Sequence, residues 1–188
     1  MLFLAFELIK TVIMQKFFSI IILFSMNISF SQKHLRTDSK ANKINITDWI
    51  INTPKDKNLN NKYIVLNFWS IAKNDQHGYD FVAKFNGLRE KFNRNDLYFI
   101  TITDEKVTDV KNYFNDIDFN SIVVSDQKKI TQTLYGSKDG TIFIPLTILI
   151  DKNRMIKWIG TPYMLDEKIM QDFITNQLVS YNMYVKPK

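Results

Sequence analysis

Tyr63–Gln76 reads YIVLNFWSIAKNDQ. Its first six residues, Tyr63–Phe68, form a near-continuous apolar run, as expected for a strand buried on both faces. The run ends in Phe68-Trp69 and breaks into a short polar segment. Beyond it, Phe81, Phe85, Leu88 and Phe92 recur at spacings of four, three and four. That is one apolar stripe of an amphipathic helix over Tyr79–Phe92. A buried strand therefore feeds a helix through a polar junction, and the identity of the junction residues decides what chemistry is open to it.

The same alternation continues outward. Leu97–Thr103, LYFITIT, is a second buried strand. Val107, Val110, Phe114 and Ile117 predict a helix over Glu105–Ile117, capped by Asp104 or Thr103. Ser121–Ser125 is a short strand, and Gln127–Tyr135 a helix ended by Gly136. Leu146–Ile150 and Met155–Gly160 flank Asp151-Lys152-Asn153-Arg154, the turn chemistry of an antiparallel hairpin. In Asp166–Val179, residues Ile169, Met170, Phe173, Ile174 and Leu178 line one side of a helix. Ahead of all this, Ile44–Ile51 alternates enough for a short strand, and Pro54-Lys55-Asp56 reads as a turn. The order β-α-β-α-β-α-β-β-α, after a small first β element, predicts an α/β fold. Its central mixed sheet is flanked by helices, mostly parallel, with the hairpin as an antiparallel edge.

The totals fit one domain with a short appendage. The chain has 188 residues, 45% hydrophobic and 14% aromatic, with 5 Gly and 4 Pro, the composition of a packed core. Its net charge of +6 would favour anionic surfaces. Basic residues are nevertheless interspersed with acidic ones, as in Lys106–Asp109 and Asp126–Lys129, with no arginine-rich run, so nucleic acid is not an expected partner. Cysteine is absent. That removes disulfides, thiolate nucleophiles, Cys-based metal sites and a lipid-bearing cysteine. The two histidines, His34 and His77, form no metal-ligand spacing. No metal and no cofactor is expected.

Residues 14–32, MQKFFSIIILFSMNISFSQ, have the layout of a secretory signal peptide. Lys16 gives a positive start, Phe17–Met26 is nearly all apolar, and Ser29-Phe30-Ser31 places small residues two apart before Gln32. The expected organisation is a signal peptide over 1–31, with Met14 as an alternative start, and a polar leader over 32–43. A folded domain follows over 44–180, then a short basic tail over 181–188 that is expected to fray. The competing reading is an uncleaved anchor, the chain's one route to a membrane. Glu7, Lys10 and Lys16 interrupt the apolar residues, and the clean stretch is short for a bilayer span. The expected location is secreted or periplasmic.

The element order, the Phe-Trp strand end and the Ile144-Pro145 before the hairpin together resemble the thioredoxin fold. More narrowly, the chain is similar to the secreted TlpA/ResA-like thiol–disulfide oxidoreductases from about Ile44 to Val179. YIVLNFWSIAKNDQ stands where that family has a strand, Phe-Trp-Ala-x-Trp and Cys-x-x-Cys. FVAKFNGLREKF matches the following helix, and IPLTILIDKNRMIKWIG the cis-proline, a Thr-x-Leu-Ile-Asp strand and the closing hairpin. The resemblance puts Trp69 on the strand-end tryptophan and Ala72 on the tryptophan before the first cysteine. It puts Lys73 on the attacking cysteine, Gln76 on the resolving one and Pro145 on the cis-proline. Asn67 takes a place where cytoplasmic thioredoxins carry a buried acid.

The departures remove the family's chemistry. Thiol–disulfide exchange needs a thiolate to attack sulfur and a second thiol to release the mixed disulfide. Neither an ammonium nor a carboxamide can do either. A cation at that helix N-terminus costs about 0.3–1 kcal/mol if it points at the helix, so Lys73 is expected to face solvent, with Asn74 or Asp75 as cap. The expectation is a redox-inactive module that holds an extended peptide or an envelope protein through Trp69, Ala72, Lys73, His77, Ile144 and Pro145. In relatives the cis-proline loop pairs its backbone with substrate peptide. The alternatives are an enzyme using Lys73, Asp75 and His77, or Ser70 with His77, in non-thiol chemistry, and a purely structural envelope partner. Trp49, Trp158, Tyr163, Tyr181 and Tyr184 are expected mostly to be core or rim packing.

Overall fold

The computed structural model describes residues 35–71, 78–136 and 141–185. Strand β2 (Tyr63–Phe68) is buried at every position because it lies inside the sheet, parallel to β3 (Leu97–Thr103) and antiparallel to β5 (Leu146–Ile150). A strand covered on both faces has no use for alternating polar residues. The other elements are β1 (Asp48–Ile51), β4 (Ile122–Ser125), β6 (Ile156–Gly160) and β7 (Tyr181–Asn182). The helices are α1 (Gly78–Lys91), α2 (Val107–Tyr113), α3 (Ile130–Tyr135) and α4 (Glu167–Ile174), with a 3-10 turn at Pro162–Met164. The sheet order is β1-β4-β3-β2-β5-β6-β7. β4 runs parallel to β3, while β1 and β6 are antiparallel to their neighbours β4 and β5.

Side chains alternate across β2, and each set has its own cover. Tyr63 and Val65 pack with Phe81, Phe85 and Leu88 of α1, Val110 of α2 and Met170 and Phe173 of α4. Ile64, Leu66 and Phe68 face Ile100, Ile102, Ile148 and Tyr135 of α3, with Leu35 and Ile44 from the segment before β1. The predicted stripe of Phe81, Phe85 and Leu88 is thus the contact face of α1.

Three helices are shorter than their apolar period suggests. α2 ends at Tyr113, and Phe114 and Ile117 lie in the turn that follows. Neither predicted cap serves it. Lys106 holds the N-cap position without a side-chain bond. Asp104 instead pairs with Lys129 at 2.6 Å, and Thr103 donates to Glu105 at 3.1 Å. α3 starts only at Ile130, after Lys129 at φ 56, and Gly136 ends it in an extended conformation rather than a left-handed one. α4 stops at Ile174 after opening on Asp166, whose carboxylate accepts from the Ile169 N–H at 2.8 Å.

The tail does not fray where it was expected to. Tyr181 and Asn182 add β7 parallel to β6, and the Met183 N–H donates to the Ile159 carbonyl at 3.0 Å. The leader is paired as well: Asp38 and Ala41 donate to Ile156 and Arg154, and Ile156 donates back to Ser39. The predicted signal segment, residues 1–31, lies outside the described residues. No helix among the described residues is long and apolar enough to cross a membrane.

One ion cluster ties the β3 entrance to the hairpin turn. Asp96 receives Arg94 at 2.8 Å and Lys152 at 2.6 Å, and these two cations hold its carboxyl well below the usual range. A depressed folded-state value means stability that is present above the unfolded value and is lost as pH falls through the folded one. Denaturant unfolding should therefore show stability falling once pH drops below about 4, and Asp96→Asn should flatten that decline. An unchanged acid limb in the variant would assign the decline to other carboxylates.

Candidate functional site

The junction after β2 is held from below by one carboxylate. The Ile71 N–H donates to both Glu105 oxygens, at 2.8 and 3.0 Å. Ser70 Oγ donates to Glu105 Oε1 at 3.0 Å, and Thr103 Oγ1 to Oε2 at 3.1 Å. Trp69 continues the sheet by donating its N–H to the Ile102 carbonyl at 3.0 Å. Its ring is 3% exposed and packs on Tyr113 and Phe114 with centroids 5.1 and 5.2 Å away. Glu105 thus ties Ser70 and Ile71 to the end of β3. Glu105→Ala would leave the Ile71 N–H and two hydroxyls without their acceptor, an expected loss of about 1–3 kcal/mol. Thermal unfolding reads this directly, and Glu105→Gln should retain part of the loss.

Opposite this junction, the Ile144–Pro145 peptide bond is cis. Ile144 joins Phe68, Trp69, Ile102 and Gln132, with Asp104 and Asp126, around a narrow crevice of about 10 Å³ at the carboxyl ends of β2, β3 and β4. Two buried polar atoms of its lining residues, Trp69 Nε1 and Gln132 Oε1, have no hydrogen-bond partner among the described residues. That space is about one water's worth, so the crevice is a contact line, not a chamber for a small substrate.

Beneath the junction a polar row crosses the sheet. Asn67 sits in register with Thr101 on β3 and Thr147 on β5, and Thr147 Oγ1 donates to Asn67 Oδ1 at 3.0 Å. All three are fully buried. Asn67 Nδ2 and Thr101 Oγ1 have no hydrogen-bond partner among the described residues. An amide here has no proton to trade, unlike the acid of cytoplasmic thioredoxins.

Of the predicted site residues, the structure brings Trp69 and Ile144 together, with Pro145 adjoining. Ala72, Lys73, Gln76 and His77, and with them Asn74 and Asp75, lie outside the described residues. Ser70 is committed to Glu105. Among the aromatics, Trp158 is core at 2% exposure and Trp49 is half-buried under Lys57. They stand on β6 and β1, far apart in the sheet order. Tyr163, Tyr181 and Tyr184 are exposed. The residues missed from sequence are Glu105 and Gln132; an acid just after β3 was the one available signal, and it was assigned to a helix. No group of His, Asp and Glu among the described residues is arranged to hold a metal ion.

The AhpC/TSA family pattern matches residues 37–159, a span that includes β1 to β5, all but the last residue of β6 and the whole crevice. The chain belongs to the AhpC/TSA family. Solved structures share its fold at low identity. A candidate thiol:disulfide interchange protein DsbE from Chlorobium tepidum is 18% identical over 77% of this chain and 99% of its own, with a TM-score of 0.60. A PrxQ mutant from Xylella fastidiosa is 15% identical over 77% and 97%, with a TM-score of 0.56. The exposed lipoprotein thioredoxin Etrx1 of Streptococcus pneumoniae is 18% identical over 62% and 87%, with a TM-score of 0.51. No curated protein matches the sequence. The thioredoxin-like α/β fold predicted from the sequence is the fold of this AhpC/TSA chain, and its lack of cysteine sets it apart from any dithiol mechanism.

Proposed function

We propose that this AhpC/TSA chain is an exported, redox-inactive recognition module that takes an extended peptide segment along the Ile144–Pro145 loop, beside Trp69. One observation carries the reading. The sulfur is gone from the sequence, yet the cis-proline loop remains, and no hydrogen bond among the described residues uses the backbone of Phe143 or Ile144. Unpaired backbone beside a shaped apolar line is what an added strand requires. Export is supported by the Lys16-to-Ser31 pattern, and the name of one neighbour, an exposed lipoprotein, agrees with it. Cell fractionation and N-terminal sequencing, with Gln32 expected first, test that part.

The chemistry is tested by insulin reduction with dithiothreitol. The native chain should show no rate above the uncatalysed one, and the double variant Lys73→Cys, Gln76→Cys should gain a rate. Binding is tested with alkylated insulin B chain as an extended, thiol-blocked probe. Pro145→Ala should weaken it about tenfold, the size of one lost pair of backbone hydrogen bonds, while the thermal midpoint confirms a folded domain. A native chain that reduces insulin, or a Pro145→Ala variant that binds as before, overturns the proposal.

A further inference from the structure

A second cavity lies apart from the crevice, on the face of the sheet covered by α3. It has a volume of about 360 Å³, within the range of small-molecule sites. Three stretches remote in sequence build it: Leu35-Arg36, Tyr135 with the 141–146 segment, and β7 with the two residues beyond Met183. Two polar side chains of its wall, those of Tyr135 and Asn182, are bonded within the protein. Tyr135 Oη donates to the Asn42 carbonyl at 2.7 Å. Asn182 donates to the Leu35 carbonyl at 3.3 Å and accepts from the Tyr184 N–H at 3.0 Å. Most of the lining is apolar, with Leu35, Ile142, Leu146 and the Tyr135 ring. At the rim, Phe143, Tyr184 and Val185 are 68%, 48% and 61% exposed, with the two rings 6.1 Å apart. Apolar side chains left open around an apolar hollow are the mark of a site.

Arg36 is the one charged residue among the described residues of the lining, and it is exposed with no carboxylate paired to it among them. No acidic residue is among the described lining residues. A guanidinium of this kind binds a carboxylate through two parallel N–H donors. We propose that this cavity binds a free, medium-chain alkyl carboxylic acid, its chain among Leu35, Ile142 and Leu146 and its carboxylate on Arg36. The chemistry disfavours the mirror-image ligand. An alkyl ammonium would meet the same apolar wall and be repelled at its head. A bulky polar ligand would leave its own hydrogen-bonding groups unmatched. The inference does not rest on peptide binding at Pro145: the two sites share Phe143, by its backbone in the one and its ring in the other, while Arg36 belongs to this cavity alone.

The test is isothermal titration of the full chain with decanoate and with decylamine, both held below their micelle concentrations. Decanoate should bind at one site, and decylamine about tenfold more weakly or not at all. Arg36→Ala, a change at an exposed position, should weaken decanoate about tenfold, and Arg36→Lys by less, because the bidentate geometry is lost while the charge stays. Phe143→Ser, which removes a rim ring, should weaken both ligands alike. The proposal is overturned if decanoate does not bind, if decylamine binds as well as decanoate, or if Arg36→Ala leaves decanoate affinity unchanged.

Discussion

Phe85→Ala should cost about 3–5 kcal/mol of folding free energy, the range for deleting a fully buried phenyl ring. Phe85 has no exposed surface and stands where α1 meets the sheet. Its ring contacts Phe81 at 4.6 Å and Phe99 of β3 edge-on at 5.8 Å. No neighbour in that aromatic cluster can move into the space without losing its own packing, so the cavity term adds to the lost burial. Against a total stability of about 5–15 kcal/mol, such a change brings the domain near its threshold. Phe85→Leu keeps most of the volume and should cost less than about 1.5 kcal/mol. Urea unfolding followed by circular dichroism measures both, and the slope should be unchanged if both variants unfold from the same packed state. A loss for Phe85→Ala below about 1 kcal/mol would mean that α1 does not lie on β2 and β3 as described.

This prediction uses a residue that was legible from sequence, and it shows which signals carry over. A six-residue, near-continuous run rich in β-branched and aromatic residues is short enough to read as an interior strand, and a four-three-four repeat reads as a helix face, because the periods of strand and helix differ. The cis-proline loop and the hairpin were legible for a similar reason, since turn chemistry is local. What failed was anything whose partner is distant. Phe114 continues the α2 period but leaves the helix to stack on Phe119, with centroids 5.1 Å apart and planes within 6°. The aromatic spacing there serves tertiary packing. β7 is two residues long, too short for a pattern, and exists because β6 offers it an edge. Glu105 reads as the first turn of a helix, and only the fold brings Ser70 and Ile71 to it from 35 and 34 positions away.

The cavity on the α3 face was invisible for the same reason at larger scale. Leu35 and Tyr184 meet there from opposite ends of the folded domain, and no window of sequence contains both. The crevice is intermediate. Trp69 and Ile144 were expected together from the resemblance, and they meet. Gln132 could not be placed, because α3 is short and its neighbour Thr131 is pinned by residues of other segments.

That pinning makes Asp126→Ala the second large effect. Asp126 is 2% exposed. Its carboxyl oxygens accept from the Thr131 N–H and from Asn45 Nδ2, the latter at 3.1 Å. Thr131 Oγ1 in turn accepts from the Asn45 N–H at 2.7 Å and donates to the Asn45 carbonyl at 3.0 Å. One side chain therefore fixes both the start of α3 and the segment before β1. Alanine leaves two partly or fully buried donors without an acceptor, at about 1–3 kcal/mol each, so about 2–4 kcal/mol is expected after relaxation. Asp126→Asn keeps one acceptor oxygen and should lose about half as much. Because α3 carries Gln132 to the crevice and Tyr135 to the cavity, the damage should be local before it is global. Hydrogen exchange should speed up at Thr131–Tyr135 well before it does at Phe81–Leu88, and both alkylated-peptide and decanoate binding should weaken together. Uniform acceleration across α1 and α3 would instead make Asp126 a support of the whole core, and the two binding surfaces would then share nothing but the fold.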